Sequence, residues 1–165
     1  MLYAVTDLET TGGSIKNSKI TEISIFITDG EKILDEFTSL VNPEQPIPYF
    51  ISQLTGINDD MVEGAPKFYE LAKQIIEFIG DAVFVAHNVG FDYNVLRSEY
   101  RSLGYEFRTN HLCTVKSSRQ IIPGYASYSL GKITDELGID LVGRHRARGD
   151  ALATTELFHL LFSKN

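Results

Sequence analysis

The sequence predicts an α/β domain, a mixed five-stranded sheet flanked by helices, built from residues 1–165 as one unit. Three observations predict it. Strand-like patterns crowd the first 42 residues. Helical and strand patterns then alternate to the end of the chain. Between the second and third strand patterns, Asp29-Gly30 is a hairpin-turn signal. A chain of 165 residues fits a single domain and can bury a real core.

Each element has its own reason. Residues 1–7 (MLYAVTD) read as the first strand, with Ala4 and Val5 entering the core. Residues 20–28 (ITEISIFIT) alternate Ile23, Ile25 and Ile27 with smaller or polar neighbours, the pattern of a half-buried strand. Residues 32–42 return after the turn as an antiparallel neighbour. Pro43, Pro46 and Pro48 then stop regular structure. A short helix over 50–54 follows and breaks at Thr55-Gly56. Residues 67–79 carry Phe68, Leu71, Ile75, Ile76 and Ile79 at helical spacing after Pro66. The run AVFVA at 82–86 is short and continuously apolar, as in a fully buried strand, and His87-Asn88 ends it. A helix over 91–103 turns Val95, Leu96 and Leu103 inward. Residues 111–115 (HLCTV) read as another buried strand. Short helices over 115–121 and 129–137 lead to a final helix over 149–162, where Leu152, Leu157, Leu160 and Leu161 are apolar.

The composition narrows the function. Hydrophobic residues make up 43% and charged residues 22%, an ordinary globular balance. No stretch is long enough to span a bilayer and the start does not read as a signal peptide, so no membrane partner is expected. Cys113 is the only cysteine, which excludes an internal disulfide and suits a cytoplasmic location. The net charge of −7 argues against a protein that coats nucleic acid through Lys and Arg. It leaves room for an enzyme that grips a few nucleotides through bound cations. No G-x-S-x-G elbow and no G-x-G-x-x-G after the first strand is present.

The candidate site residues sit at junctions between elements. Asp7 and Glu9 lie two apart where the first strand ends, so their side chains share a side. Two such carboxylates resist burial unless positive charge sits between them. Asp92, in HNVGFD, and Asp150, in HRARGDA, each open a helix, where the macrodipole alone would favour an acid. His145 stands five residues before Asp150. In open α/β sheets, sites form beyond the carboxyl ends of strands, which is where Asp7 and the His87-Asn88 corner fall. An all-oxygen donor set suits Mg²⁺ or Mn²⁺ better than zinc, and four carboxylates match the charge of two such ions.

In order, DLETTG at 7–12, LTGI at 54–57, HNVGFD at 87–92, YSL at 128–130 and HRARGDA at 145–151 resemble the sequence blocks of the DEDDh family of 3′–5′ exonucleases, in particular its bacterial proofreading branch. The likeness covers nearly the whole chain. It implies a ribonuclease-H-like fold and release of nucleoside monophosphates from single-stranded or frayed DNA 3′ ends, with trimming of RNA or short oligoribonucleotides as the alternative. A catalytically silent module that binds nucleic acid or a polymerase is the remaining alternative, disfavoured because all five chemical residues are present. The resemblance assigns Asp7, Glu9 and Asp150 to one Mg²⁺ or Mn²⁺, Asp7 and Asp92 to a second, and His145 as general base. A free histidine titrates near ~6.5, so activity is expected to rise through neutrality. The loop that carries His145 follows Gly143 and is expected to move without substrate.

The same resemblance implies contacts to the terminal nucleotide. The turn Thr10, Thr11, Gly12 and Gly13 would offer backbone N–H groups to the sugar. Leu54, Thr55 and Ile57 would form an apolar wedge against the last bases. Leu54 is equally readable as core, and the wedge reading is favoured for Ile57. Asn88 would touch the nucleotide and Phe91 would line its pocket, although Phe91 also reads as plain core. Ser129 is read as the cap of a helix start. Of Arg144, Arg146 and Arg148, at least one is expected to face phosphate. A polymerase subunit is a possible partner in such a family, as an alternative to independent repair.

Overall fold

A computed structural model describes residues 1–12 and 14–165; Gly13, part of the turn named above, lies outside the described residues. Among the described residues the strands are β1 (Tyr3–Thr10), β2 (Ile20–Thr28), β3 (Ile33–Leu40), β4 (Val83–Ala86) and β5 (His111–Cys113). They form one sheet in the order β3-β2-β1-β4-β5. β1 runs antiparallel to β2, and β2 to β3, whereas β1–β4 and β4–β5 are parallel. The mixed sheet follows from the connections: a tight turn joins β2 to β3, and helical crossovers lead into β4 and β5.

Helices cover both faces. Those before β4 are α1 (Tyr49–Thr55), α2 (Asp59–Glu63) and α3 (Phe68–Ile79). After it come α4 (Val89–Ser102), α5 (Thr114–Ile121), α6 (Leu130–Leu137) and α7 (Ala147–Ser163). On one face, Ala4, Leu8, Ile23, Ile25 and Phe84 pack with Leu71, Ile75, Val95 and Leu96 of α3 and α4. On the other, Val5 and Val85 pack against Phe158 of α7. α7 is held in turn by α5 and α6 through Ile133, Leu157 and Leu161.

The structure corrects several expectations. β1 does not stop at residue 7 but continues to Thr10, because β2 pairs with it that far, with an irregularity between Glu9 and Thr10. β2 is buried along its whole length rather than on one face, since α7 covers the side bearing Glu22, Ser24 and Phe26. β5 is not a buried strand: it is a three-residue edge strand with His111 exposed, and Thr114 already starts α5. Leu103 caps α4 and is exposed, because the helix ends at Ser102. α2 is an addition whose signal was present in Asn58-Asp59-Asp60: the Asn58 side chain accepts from the Met61 N–H as an N-cap.

Candidate active site

Asp7 and Glu9 share the α7 side of the sheet with Val5. β4 pairs with β1 only from Tyr3 to Val5, so both acids lie past the end of β4, where the sheet opens. α7 begins beside them and its first turn supplies Asp150. The first turn of α4, leaving the end of β4, supplies Asp92, which is only 6% exposed. Three separate stretches of chain therefore deliver four acids to one end of the sheet. One carboxylate oxygen each from Asp7, Glu9 and Asp150 lies within 4.8 Å of the others. Asp92 is outside that trio, yet its charge is felt at Asp7 and Glu9, and the charge of Asp150 is felt at Asp92.

The electrostatics are those of crowded, buried acids. Burial, followed by the charges of Asp92, Glu9 and Asp150, holds the Asp7 carboxyl well above the usual range. Burial and then Asp150, Glu22 and Asp92 push Glu9 up to about 8. Burial and then Asp150 raise Asp92; burial raises Asp150, with Arg144 opposing. The Asp7 Oδ2 atom is buried and has no hydrogen-bond partner among the described residues. An orphaned carboxylate oxygen inside an all-oxygen cluster fits a hard divalent cation.

His145 adjoins this cluster. Its backbone N–H lies 3.4 Å from Asp150 Oδ1, and its imidazole is close enough to influence the Asp150 carboxyl. The residue has φ 66°, a left-handed conformation uncommon for a side chain of this size. The loop is tied down at both ends. Arg146 binds Glu22 of β2, and Gly149 packs directly on the carbonyls of Val142 and Gly143. Of the three arginines, Arg144 Nη1 donates to Asp150 Oδ2 at 2.9 Å, beside the acids. Arg146 and Arg148 are instead paired with Glu22 and Glu36.

The expected nucleotide contacts divide. In the turn after β1, the Thr11 N–H donates to the Lys19 carbonyl and the Gly12 N–H to Thr10 Oγ1. Those amides are engaged within the turn and do not point outward as anticipated. Thr11 Oγ1 accepts from Gln45 Nε2, and both threonines are buried. Ile57 is not a wedge: it is 0% exposed and packs with Ile47 and Val62. Thr55 is buried and its hydroxyl donates to the Ile51 carbonyl. Leu54 is 52% exposed, on a helix that also displays Tyr49 and Phe50. Those two aromatics escaped the sequence reading, although three prolines before an aromatic pair were a visible hint of a displayed turn.

Asn88 is exposed at φ 69° with no capping bond from its side chain, so it stands at the rim. Phe91 is half-buried against the main core. Ser129 occupies the position before α6 but makes no side-chain cap bond. His87, at the end of β4, has one ring nitrogen 2.8 Å from Thr114 Oγ1 and the other 2.7 Å from the Tyr128 carbonyl. It thereby fastens the YSL segment to the end of β4.

A family model described as Exonuclease, RNase T, matches residues 4–158. The PolC-type DNA polymerase III of Clostridium perfringens is 39% identical over 163 residues, covering 98% of this chain and 11% of that protein. The 3′-5′ exonuclease DinG of Staphylococcus aureus is 36% identical over 163 residues, covering 98% and 18%. The chain thus spans less than a fifth of the length of these relatives. Among solved structures, Exonuclease X in complex with 5′ overhanging duplex DNA superposes with a TM-score of 0.80 at 27% identity, covering 98% of this chain and 91% of that one. The nuclease domain of 3′hExo, a DEDDh family member bound to rAMP, gives 0.85 at 18% identity, covering 98% and 92%, and shows the shared fold. A ribonuclease-H-like sheet with this acid cluster, matched by a family model over nearly all its length, places the chain in the RNase T exonuclease family.

Proposed function

We propose that the protein is a metal-dependent 3′–5′ exonuclease acting on single-stranded or frayed DNA ends. The observation that carries this is the trio of Asp7, Glu9 and Asp150 oxygens within 4.8 Å of one another, with Asp92 beside them. The relatives named as a PolC-type polymerase and as a 3′-5′ exonuclease support DNA as the substrate class and make polymerase proofreading the leading context.

The roles follow from the placement. Asp7, Glu9 and Asp150 would hold one Mg²⁺ or Mn²⁺, and Asp7 and Asp92 a second. When bound, such cations supply the charge that favours a hydroxide-like nucleophile and stabilises the departing oxygen. A ring nitrogen of His145 accepts the proton of the attacking water, which requires a neutral imidazole. Arg144, next to Asp150, presents positive charge to the scissile phosphate. Leu54, with Tyr49 and Phe50, offers an apolar face to the terminal bases.

The test uses 5′-labelled single-stranded DNA and RNA with Mg²⁺, Mn²⁺ or chelator. Wild-type protein is expected to give a ladder shortening from the 3′ end of DNA, abolished by chelator. Asp7→Ala and His145→Ala should each slow it about 100-fold or more. Cleavage indifferent to chelator, or binding without cleavage under either metal, overturns the reading. Faster trimming of RNA moves the substrate class to ribonucleic acid.

A further inference from the structure

Glu22 lies near the start of β2, directly opposite Glu9, and is only 4% exposed. Residues opposed across two strands share a face of the sheet, so Glu22 is a further acid on the α7 side. It is not part of the cation cluster, because both of its oxygens are engaged elsewhere. Arg146 Nε donates to Oε1 at 3.0 Å and Arg146 Nη2 to Oε2 at 2.8 Å, a two-point clamp. The Ala147 N–H also donates to Oε1, at 2.8 Å. The carboxylate therefore holds one side chain and one backbone group of the two residues that follow His145.

The rest of the loop is built around that clamp. The Arg146 N–H donates to the Gly143 carbonyl at 3.0 Å, closing a turn with Arg144 and His145 inside it. His145 takes a left-handed backbone within the turn. Arg146 is also the N-cap position of α7, whose first turn carries Asp150. One carboxylate on the central sheet thus fixes the helix start and the turn together. An aliphatic side chain would fill the same buried space without bringing another negative charge beside Glu9. The cost of that charge is offset by what it orients.

We propose that Glu22 is a positioning residue for His145, acting through Arg146 and Ala147. The proposal rests on the exonuclease reading above. Glu22→Gln keeps the shape of the side chain but replaces one accepting oxygen with a donor facing the guanidinium, which breaks the two-point clamp.

The experiment is a double-mutant cycle of Glu22→Gln and His145→Ala. It measures kcat and KM on a single-stranded DNA oligonucleotide at saturating Mn²⁺, and Mn²⁺ affinity by calorimetry. Glu22→Gln is expected to lower kcat about tenfold to a hundredfold, the scale of a misplaced catalytic group, with KM and Mn²⁺ affinity within about twofold of wild type. The double variant should be no slower than His145→Ala alone, because the second substitution has nothing left to misplace. Losses that multiply, or a fall in Mn²⁺ affinity that matches the fall in kcat, overturn the proposal and leave the exonuclease reading standing. An inactive wild type, or full activity in His145→Ala, overturns that reading and the proposal with it. Should Glu22→Gln not fold, Arg146→Lys keeps the charge, removes the fork and enters the same cycle.

Discussion

At residue scale, Leu54 and Ile57 show how one turn decides between core and surface. They stand three apart, which on a continuous helix would put them on one face. The helix ends first: Gly56 takes φ 74° and reverses the chain, so Leu54 points outward and Ile57 inward. That reversal was visible as Thr55-Gly56, but its geometric consequence was not. Ile57→Ala is expected to cost about 2–5 kcal/mol of stability, read by chemical denaturation. Leu54→Ala should change stability by less than about 0.5 kcal/mol and instead raise KM on DNA ends. Equal stability losses in the two variants would place both residues in the core. Glu22 was hidden for a related reason. An acid among isoleucines reads as the wet side of a half-buried strand, and only a second covering layer turns it into a buried, clamped group. The five chemical residues were legible because they fall in short blocks, DLETTG, HNVGFD and HRARGDA, whose acids interrupt the apolar pattern, even though Asp7 and Glu9 lie within β1 and not beyond its end.

At element scale, the decisive junction is the entry to α7. Strong apolar periodicity made the long elements β2, α3 and α7 legible, whereas β5 and α2, at three and five residues, carry too few positions to show a period. The start of α7 was placed two residues late because the chain enters it through a tertiary clamp and not through a Ser, Thr, Asp or Asn cap. Gly149 is the other half of that junction. A Cβ there would overlap the Val142 carbonyl oxygen and lie 2.6 Å from the Gly143 carbonyl oxygen, against backbone that cannot swing aside. Gly149→Ala is therefore expected to destabilise the protein by about 3 kcal/mol or to displace the His145 loop. The two outcomes separate by experiment: a lowered melting temperature in the first, an unchanged one with reduced kcat in the second. A variant matching wild type in both would show that the loop does not rest on α7.

At the scale of the whole molecule, the fold gathers negative charge in a chain that already carries 22 acids against 15 Lys and Arg. Glu9 is raised from its usual 4.5 to about 8, and Asp7 and Asp92 well above 3.8, each by burial first and neighbouring acids second. Such groups bind protons more tightly in the folded chain than in the unfolded one. Their contribution is fully present below the unfolded values and is lost as pH rises through the folded ones. Two histidines act in the other direction. Burial lowers His87 and His159 from 6.5, so their contribution is present above that value and lost below it. Between about pH 6.5 and 8 the histidine contribution is nearly complete, and the carboxyls set the slope. The metal-free protein is therefore expected to lose melting temperature as pH rises across that window. Mg²⁺ or Mn²⁺ should flatten or reverse the trend, because a cation replaces the protons as counter-charge, and at 100 times its Kd it adds about 2.7 kcal/mol. Asp7→Asn should show a shallower metal-free slope and a weaker response to either ion. A melting temperature that rises with pH in chelator, unaltered by divalent ions, would mean that the acids at the end of the sheet do not share a cation.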